Sequence, residues 1–505
     1  MIRKLLIANR GEIAVRVMRT ARELGVRTVA VYSDVDGSAR HVELADEAVS
    51  IGPPPPTESY LNIPRIVEAA LQSGCEAVHP GYGFLSENPR FAEAVQAAGL
   101  IFVGPPPKAM WLLGNKIESR ALAQKAGVPV TPGATFETPD VKEVLKLAEK
   151  IGWPVLIKAA AGGGGKGMRV VHTAADLPLA LEGAMREAGS AFGDSTVYLE
   201  KYLPRPRHVE FQVFGDAHGH AVHLGERECS IQRRHQKIIE ESPSTALTPE
   251  LRARMGDAAV RVVKAASYVN AGTVEFLLDG DHFYFLEVNA RLQVEHPVTE
   301  FVTGEDLVEW QLRIASGEPL PKRQEEIRFR GHAIECRIYA EDPANGFLPS
   351  SGRILALEEP HLPGVRVDSG IREGSDVSVY YDPILSKVIA HAATREAAIR
   401  KMCVALENYV LLGVASPIEL LRDVLSHPEF QKGRLSTHFL EDHLPDWKPR
   451  ALEDPELAAA LWVATRAPRL RSPSVEVAGT IAPSPWQVLG HWKIAQREEK
   501  PSCPN

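Results

Sequence analysis

Glu287-Val288-Asn289-Ala290-Arg291-Leu292-Gln293-Val294-Glu295 alternates polar and apolar residues without a break. A strand projects successive side chains to opposite faces, so this pattern sets Glu287, Asn289, Arg291, Gln293 and Glu295 on one face. Two carboxylates, two amides and a guanidinium in one row can hold a metal ion, an anion and a base together. A solvated face of an amphipathic strand has the same alternation. Here the row follows the strongly apolar Phe283-Tyr284-Phe285-Leu286, which points to a buried strand running into a cleft.

The segments 273–278 and 283–288, separated by Asp279-Gly280-Asp281-His282, read as a hairpin. Glu275 and Glu287 are equidistant from Asp281, so symmetric pairing sets the two carboxylates face to face. Like charges directly opposed on a sheet destabilise it unless a cation lies between them. Hard oxygen donors, with Asn289 alongside, suit Mg²⁺ or Mn²⁺ bridging to nucleotide phosphates. A salt bridge from one of the glutamates to Arg291 is the competing reading.

Further upstream, a strand at 153–159 enters Gly162-Gly163-Gly164-Gly165-Lys166-Gly167 and a second strand follows at 168–172. Strand–glycine loop–strand is a hairpin, unlike the strand–loop–helix of a P-loop, and Gly167 stands where Walker A requires Ser or Thr. Four glycines expose backbone N–H groups to an anionic ligand, with Lys158 and Lys166 adding positive charge. A phosphate-covering lid fits this pattern better than a solvent loop.

At the N-terminus, a strand at 2–8, the turn Asn9-Arg10-Gly11, a helical pattern at 12–24 and a strand at 27–32 open a strand–helix alternation. It reaches Ile101-Phe102-Val103-Gly104 and reads as a parallel α/β sheet. Only Gly11 sits in the first turn, so the dinucleotide fingerprint is missing and a dehydrogenase is disfavoured. After Gly331 a third block carries strands at 332–339 and 387–392 and closes near Leu444-Pro445. The remainder holds one helix, at 455–466, and then a Pro/Ser-rich linker. No internal repeat is present.

A chain of 505 residues exceeds one core and implies about three domains. The net charge of −8 gives no reason to expect nucleic-acid binding. Five scattered cysteines, none spaced Cys-x-x-Cys, argue for a reducing cytoplasm and against a disulfide framework or zinc cage. The apolar run at the N-terminus is too short for a signal peptide or membrane span. The stretch 226–243 is dense in mixed charge, which by itself reads as a solvated face. Within it, Cys229 reads as a packed residue rather than a nucleophile.

Several segments together resemble biotin carboxylase, the ATP-grasp enzyme or domain of acetyl-, propionyl- and methylcrotonyl-CoA carboxylases and of pyruvate carboxylase. They are His79-Pro80-Gly81-Tyr82-Gly83-Phe84-Leu85-Ser86-Glu87-Asn88, the glycine lid, 226–237, 287–297 and Glu335-Cys336-Arg337-Ile338-Tyr339-Ala340-Glu341-Asp342. The likeness runs in order from residue 1 to about 445. Trp310-Gln311-Leu312-Arg313-Ile314-Ala315 leans towards the propionyl and methylcrotonyl type.

The resemblance implies an α/β and α+β multidomain chain. A Rossmann-like pre-ATP-grasp domain would occupy 1–113 and an ATP-grasp domain 114–330, with a mobile lid at about 131–203. A C-terminal biotin carboxylase domain would follow at 331–446, and a tail at 447–505. It implies ATP- and bicarbonate-dependent carboxylation of biotin through carboxyphosphate. Lys116, Lys158, Gly164, Gly165, Glu200, Lys201, Leu203, His208, Gln232, His235, Glu275 and Glu287 would bind ATP. Glu275, Glu287 and Asn289 would carry two Mg²⁺ or Mn²⁺ ions. Lys237, Arg291, Val294 and Glu295 would hold bicarbonate, and Tyr82, Gln293 and Arg337 would contact biotin. Lys237, Arg291, Glu295 and Arg337 would be catalytic.

Three departures from the family pattern stand out. Asn115 replaces a frequent Asp before Lys116, and Val414-Ala415-Ser416-Pro417 replaces a Thr-Asn-containing stretch. Met-Lys-Met, the usual biotinylation tripeptide, is absent from residues 1–505. The missing tripeptide implies that biotin arrives on another polypeptide; the family likeness suggests a homodimer, and the expectation is a cytoplasmic subunit with neither nucleic acid nor membrane as partner. It would work with a separate biotin carboxyl carrier protein and a carboxyltransferase subunit. The segment Ser484–Leu489 resembles the start of the region that follows the carboxylase domain in acyl-CoA carboxylase α-subunits. The alternatives are another ATP-grasp ligase forming an acyl phosphate, and a nucleotide-binding regulatory subunit without turnover.

Overall fold

The strands Lys4–Ile7 and Arg27–Tyr32 are aliphatic runs whose central residues are fully buried. They form the middle of a parallel five-stranded sheet ordered Glu47–Ser50, Arg27–Tyr32, Lys4–Ile7, Ala77–His79, Ile101–Phe102. The computed structural model describes residues 1–136, 140–160 and 168–450. The helix Gly11–Glu23 begins on Gly11 itself, at a φ of 64°, a conformation glycine adopts without Cβ strain. A Cβ on Gly370 would collide with the Glu12 backbone nitrogen, so the C-terminal block packs directly on that turn.

An eight-stranded sheet follows. Its order is His282–Asn289, Asn270–Asp279, Arg207–Gly215, Ala221–Arg233, Gln236–Ser242, His332–Tyr339, Ile384–Ala392, Val365–Ser369. Gln236–Ser242 pairs with His332–Tyr339, Ile239 opposite Cys336, so one sheet runs without interruption across position 331. A smaller antiparallel sheet joins Gly133–Ala134, Val197–Lys201, Val155–Ala159 and Arg169–Val171. It has a core of its own, with Val144, Ile157, Val171, Leu181 and Leu199. Val155 faces Val171 across this hairpin; Gly164, Gly165 and Lys166 lie outside the described residues.

Two expectations fail here. The row from Glu287 to Glu295 is not one strand, because the strand ends at Asn289. The Ala290 N–H leaves the ladder for the Glu87 carboxylate at 3.0 Å. Pro297 then sits in the first turn of the helix His296–Thr303, with Glu295 as its N-cap residue, a position where proline's missing N–H is no loss. The charged stretch 226–243 is also no solvated face. Glu226, Arg227, Glu228, Gln232, Glu240 and Glu241 are buried in the middle of the eight-stranded sheet. Arg227 is satisfied there by Glu210 at 2.5 Å, Gln212 at 2.8 Å, and Thr273 and Thr299 at 3.0 Å each. Buried charge of this kind is tolerated only with such partners.

The two local departures are accommodated. Asn115 caps the helix Lys116–Lys125, accepting from the N–H groups of Ile117 and Glu118 at 3.0 and 3.1 Å, a task asparagine and aspartate perform equally. Val414 packs against a small core of Ala340, Ile354, Ile371 and Leu385, and the Ala415 N–H donates to Ser350 Oγ at 3.0 Å. The helix expected at 455–466 and the segment Ser484–Leu489 lie outside the described residues. Among the described residues no helix is long and apolar enough to cross a membrane.

Candidate active site

The hairpin of Asn270–Asp279 and His282–Asn289 sets Glu275 directly opposite Glu287. The pairing is not the symmetric one. Phe276 faces Phe285 while Glu275 faces Glu287, so Leu286 is an extra residue without a partner. A bulge of this kind turns consecutive side chains to one side, and both Leu286 and Glu287 line the same cavity. One strand over, Glu210 sits opposite Glu275.

Lys237 is the hub of this surface. Its Nζ lies 2.5 Å from Glu210 Oε2, 2.9 Å from Glu275 Oε1, 2.7 Å from Glu295 Oε1 and 3.1 Å from Gln293 Oε1. Burial alone would lower the lysine's pKa, but Glu210, Glu275 and Glu295 hold it well above the usual range. In return, Glu295 and Glu275 stay well below the usual carboxylate range despite burial. Lys237 and Arg337 stabilise the first, and Lys237 and His208 the second.

Arg337 bridges two carboxylates from the next strand of the sheet. Its Nε donates to Glu240 at 2.6 Å, and Nη2 lies 3.0 Å from Glu295 Oε2. Arg291 lies 3.0 Å from Glu87 and donates to the Asn289 amide oxygen at 3.2 Å. The salt bridge from Arg291 to a hairpin glutamate is therefore not formed; Glu287 lies 3.4 Å from Lys116 Nζ instead.

These groups open onto one cavity of about 1050 Å³. Of the residues singled out from the sequence, Lys116, Lys158, Glu200, Lys201, Leu203, His208, Gln232 and His235 line it. So do Lys237, Glu275, Glu287, Asn289, Arg291, Gln293, Val294, Glu295, Arg337 and Tyr82. Gly164, Gly165 and Lys166 lie outside the described residues. Lys158 lies 3.0 Å from Glu200, which Arg120 also holds at 2.8 Å. Gln232 Nε2 is 2.7 Å from His208 Nδ1, and His208 Nε2 is 3.0 Å from Glu275. Lys201 donates to the Gly152 and Trp153 carbonyls at 2.9 and 2.8 Å. His235 and Arg234 form the turn between two sheet strands, both with positive φ, the geometry of a tight hairpin.

Glu87, Glu210 and Glu240 orient Arg291, Lys237 and Arg337, and sequence reasoning passed over all three. A signal existed for Glu210, since His208-x-Glu210-x-Gln212 alternates along one strand. Also unforeseen are Leu156, Met168, Leu277 and Leu286, which give the cavity apolar walls.

Two acidic groupings come close enough to share a cation: His208 with Glu210 and Glu275, and Glu210 with Cys229 and Glu295. The Lys237 ammonium already lies between these carboxylates. Among the described residues the cation paired with Glu287 is Lys116, and with Glu275 and the Asn289 amide oxygen Glu287 offers the hard donors a divalent ion needs. Cys229 is fully buried with its thiol pushed well above the ordinary range by burial, so it stays an inert thiol.

Three family models match in sequence: "Biotin carboxylase, N-terminal domain" over residues 1–110, "Carbamoyl-phosphate synthase L chain, ATP binding domain" over 115–323, and "Biotin carboxylase C-terminal domain" over 335–442. The chain is 52% identical to a pyruvate carboxylase subunit of Methanothermobacter thermautotrophicus, over 88% of this chain and 90% of that one. It is 50% identical to the propionyl-CoA carboxylase alpha chain of Sus scrofa, over 98% of this chain and 69% of the relative. With the human propionyl-CoA carboxylase alpha chain it shares 53% identity, spanning only 61% of that relative's length.

Among solved structures, it is similar to the biotin carboxylase domain dimer of Hydrogenobacter thermophilus 2-oxoglutarate carboxylase, in complex with MgADP, ADP and bicarbonate. The TM-score is 0.86 at 46% identity, covering 89% of this chain and all of that one. The biotin carboxylase of Campylobacter jejuni, in a β,γ-ATP complex, gives 0.85 at 45% identity, covering 88% and 99%.

Proposed function

The chain belongs to the biotin carboxylase family of ATP-dependent ligases, and from that premise we propose that it carboxylates biotin borne on a separate carrier protein, using ATP and bicarbonate. The observation that carries this reading is the single cavity lined by Lys237, Arg291 and Glu295 together with Glu275 and Glu287. That arrangement suits an anion captured beside a nucleotide's terminal phosphates. The apolar walls of Leu156, Met168, Leu203, Leu277 and Leu286 suit a flat base, with His208, Gln232 and His235 at its polar edge. Lys116, Lys158, Glu200 and Lys201 are proposed to hold the nucleotide. Gly164 and Gly165 are proposed to cover its phosphates.

Divalent ions held by Glu275, Glu287 and Asn289 would offset charge on the transferring phosphoryl group. The remaining chemistry falls to the chain's own side chains. Bicarbonate seated on Lys237, Arg291 and Val294 would take over the lysine's bond to Glu295, so the glutamate's basicity rises when substrate is present. Glu295 then accepts the bicarbonate proton as the bicarbonate oxygen attacks the γ-phosphorus and ADP leaves. Carboxyphosphate separates into CO₂ and phosphate, and that phosphate takes the proton from the biotin ureido nitrogen. Arg337 stabilises the resulting anion with a guanidinium that does not lose its own proton, and the anion attacks CO₂. Gln293 and Tyr82 are proposed to orient biotin. The Tyr82 hydroxyl is buried in the described structure without a hydrogen-bond partner, which supports a role for it in binding.

A separate carboxyltransferase that passes the group to an acyl-CoA, and a homodimeric assembly, complete the proposal. The free thiols of Cys75, Cys229, Cys336 and Cys403 support a reducing compartment, the cytoplasm in this reading. ADP release measured with free biotin tests it. Turnover should require bicarbonate and rise with biotin; ATP cleavage indifferent to both would favour a different acyl-phosphate ligase.

A further inference from the structure

Lys387, on the strand Ile384–Ala392, is fully buried and stands behind the cavity wall rather than in it. An ammonium group so placed needs partners. Its Nζ donates to the Val294 carbonyl at 2.6 Å and lies 3.4 Å from Glu12 Oε1. It sits 5.7 Å from the centre of the Tyr82 ring. Across the ladder Lys387 is directly opposite Arg337, so the two stems run side by side. Tyr82, the Val294 backbone and Arg337 come from three separate elements, and all three adjoin this one buried cation.

From this convergence we propose that Lys387 is a positioning residue for the biotin and bicarbonate end of the site. Its bond to the Val294 carbonyl fixes the peptide plane shared by Val294 and Glu295, and therefore the direction of the Glu295 N–H and side chain. The strand from Asn270 to Asp279 and the residues Lys116 and Glu287 owe nothing to this bond. Removing one partner of a buried ionic group is destabilising in itself, so a purely structural role would depress the biotin and MgATP parameters together. The inference rests on the carboxylase reading above.

Lys387→Met keeps the stem and removes the ammonium; Lys387→Gln fills similar volume but falls one atom short of the Val294 carbonyl. In the full chain, both should lower kcat/KM for free biotin at least about tenfold, as misplacement of reacting groups does. Their KM for MgATP should stay within about twofold of wild type, because the nucleotide's side of the cavity is untouched. Biotin and MgATP parameters falling in parallel, or neither changing, would overturn the proposal, as would failure of both variants to fold. A wild-type protein without biotin-dependent turnover would overturn the carboxylase reading instead.

Discussion

Glu287 faces Glu275 across the hairpin only because Leu286 is left unpaired between Phe285 and Glu287. One extra residue sets both the acidic pair and an apolar wall of the cavity. Glu287→Gln removes half of that pair while leaving the bulge intact. The Mg²⁺ concentration for half-maximal ATP cleavage should rise about tenfold, roughly 1.4 kcal/mol of binding. An unchanged magnesium titration would count against the hairpin as the metal site.

Lys237 contacts Glu210, Glu275 and Glu295 at once. Lys237→Met leaves three carboxylates facing one another, and removing one partner of a buried ionic group typically costs about 3–5 kcal/mol. Bicarbonate-dependent ATP cleavage should fall by about 10²–10³-fold, the range for losing a preorganised charge beside the reacting centre. Thermal unfolding and steady-state turnover check the two effects separately, and turnover within about tenfold of wild type would contradict the assigned role.

Arg337 contacts Glu295 at 3.0 Å and is proposed to act in the biotin step. Arg337→Ala should reduce biotin carboxylation by about 10²-fold or more while reducing bicarbonate-dependent ATP cleavage less than about tenfold. Equal losses in the two assays would remove Arg337 from the biotin step.

Glu12 is buried with neither carboxylate oxygen hydrogen-bonded, and burial lifts its pKa from 4.5 to about 7, partly offset by Lys387. The folded protein therefore binds this proton more tightly than the unfolded chain does. Stability from this group is full below pH 4.5 and is lost as pH rises towards 7. Glu12→Gln cannot lose a proton, so its stability relative to wild type should improve by roughly 2–3 kcal/mol between pH 4.5 and pH 8. Denaturant unfolding at the two pH values checks it. A constant difference would mean Glu12 is already ionised when folded.

The parallel sheet, the hairpins and the set of side chains that converge were legible because each is carried by local periodicity or by a long segment of family likeness. Two features were not. Alternation alone extends the strand to Glu295, since nothing in the period reports that Glu87 captures the Ala290 N–H. Charge density reads as solvent exposure at 226–243 because the partners that satisfy Arg227 lie on other strands, at Glu210, Gln212 and Thr273. Equal spacing about Asp281 did pair Glu275 with Glu287, although the bulge rather than symmetry brings them together.

Transfer of oxygen from bicarbonate to phosphate tests the account most directly, because it follows the bond that Lys237, Arg291 and Glu295 are proposed to form. With ¹⁸O-labelled bicarbonate, ATP and biotin, each phosphate released during carboxylation should carry one labelled oxygen from bicarbonate. Phosphate that takes its new oxygen only from water, at undiminished turnover, would contradict attack by bicarbonate at this site.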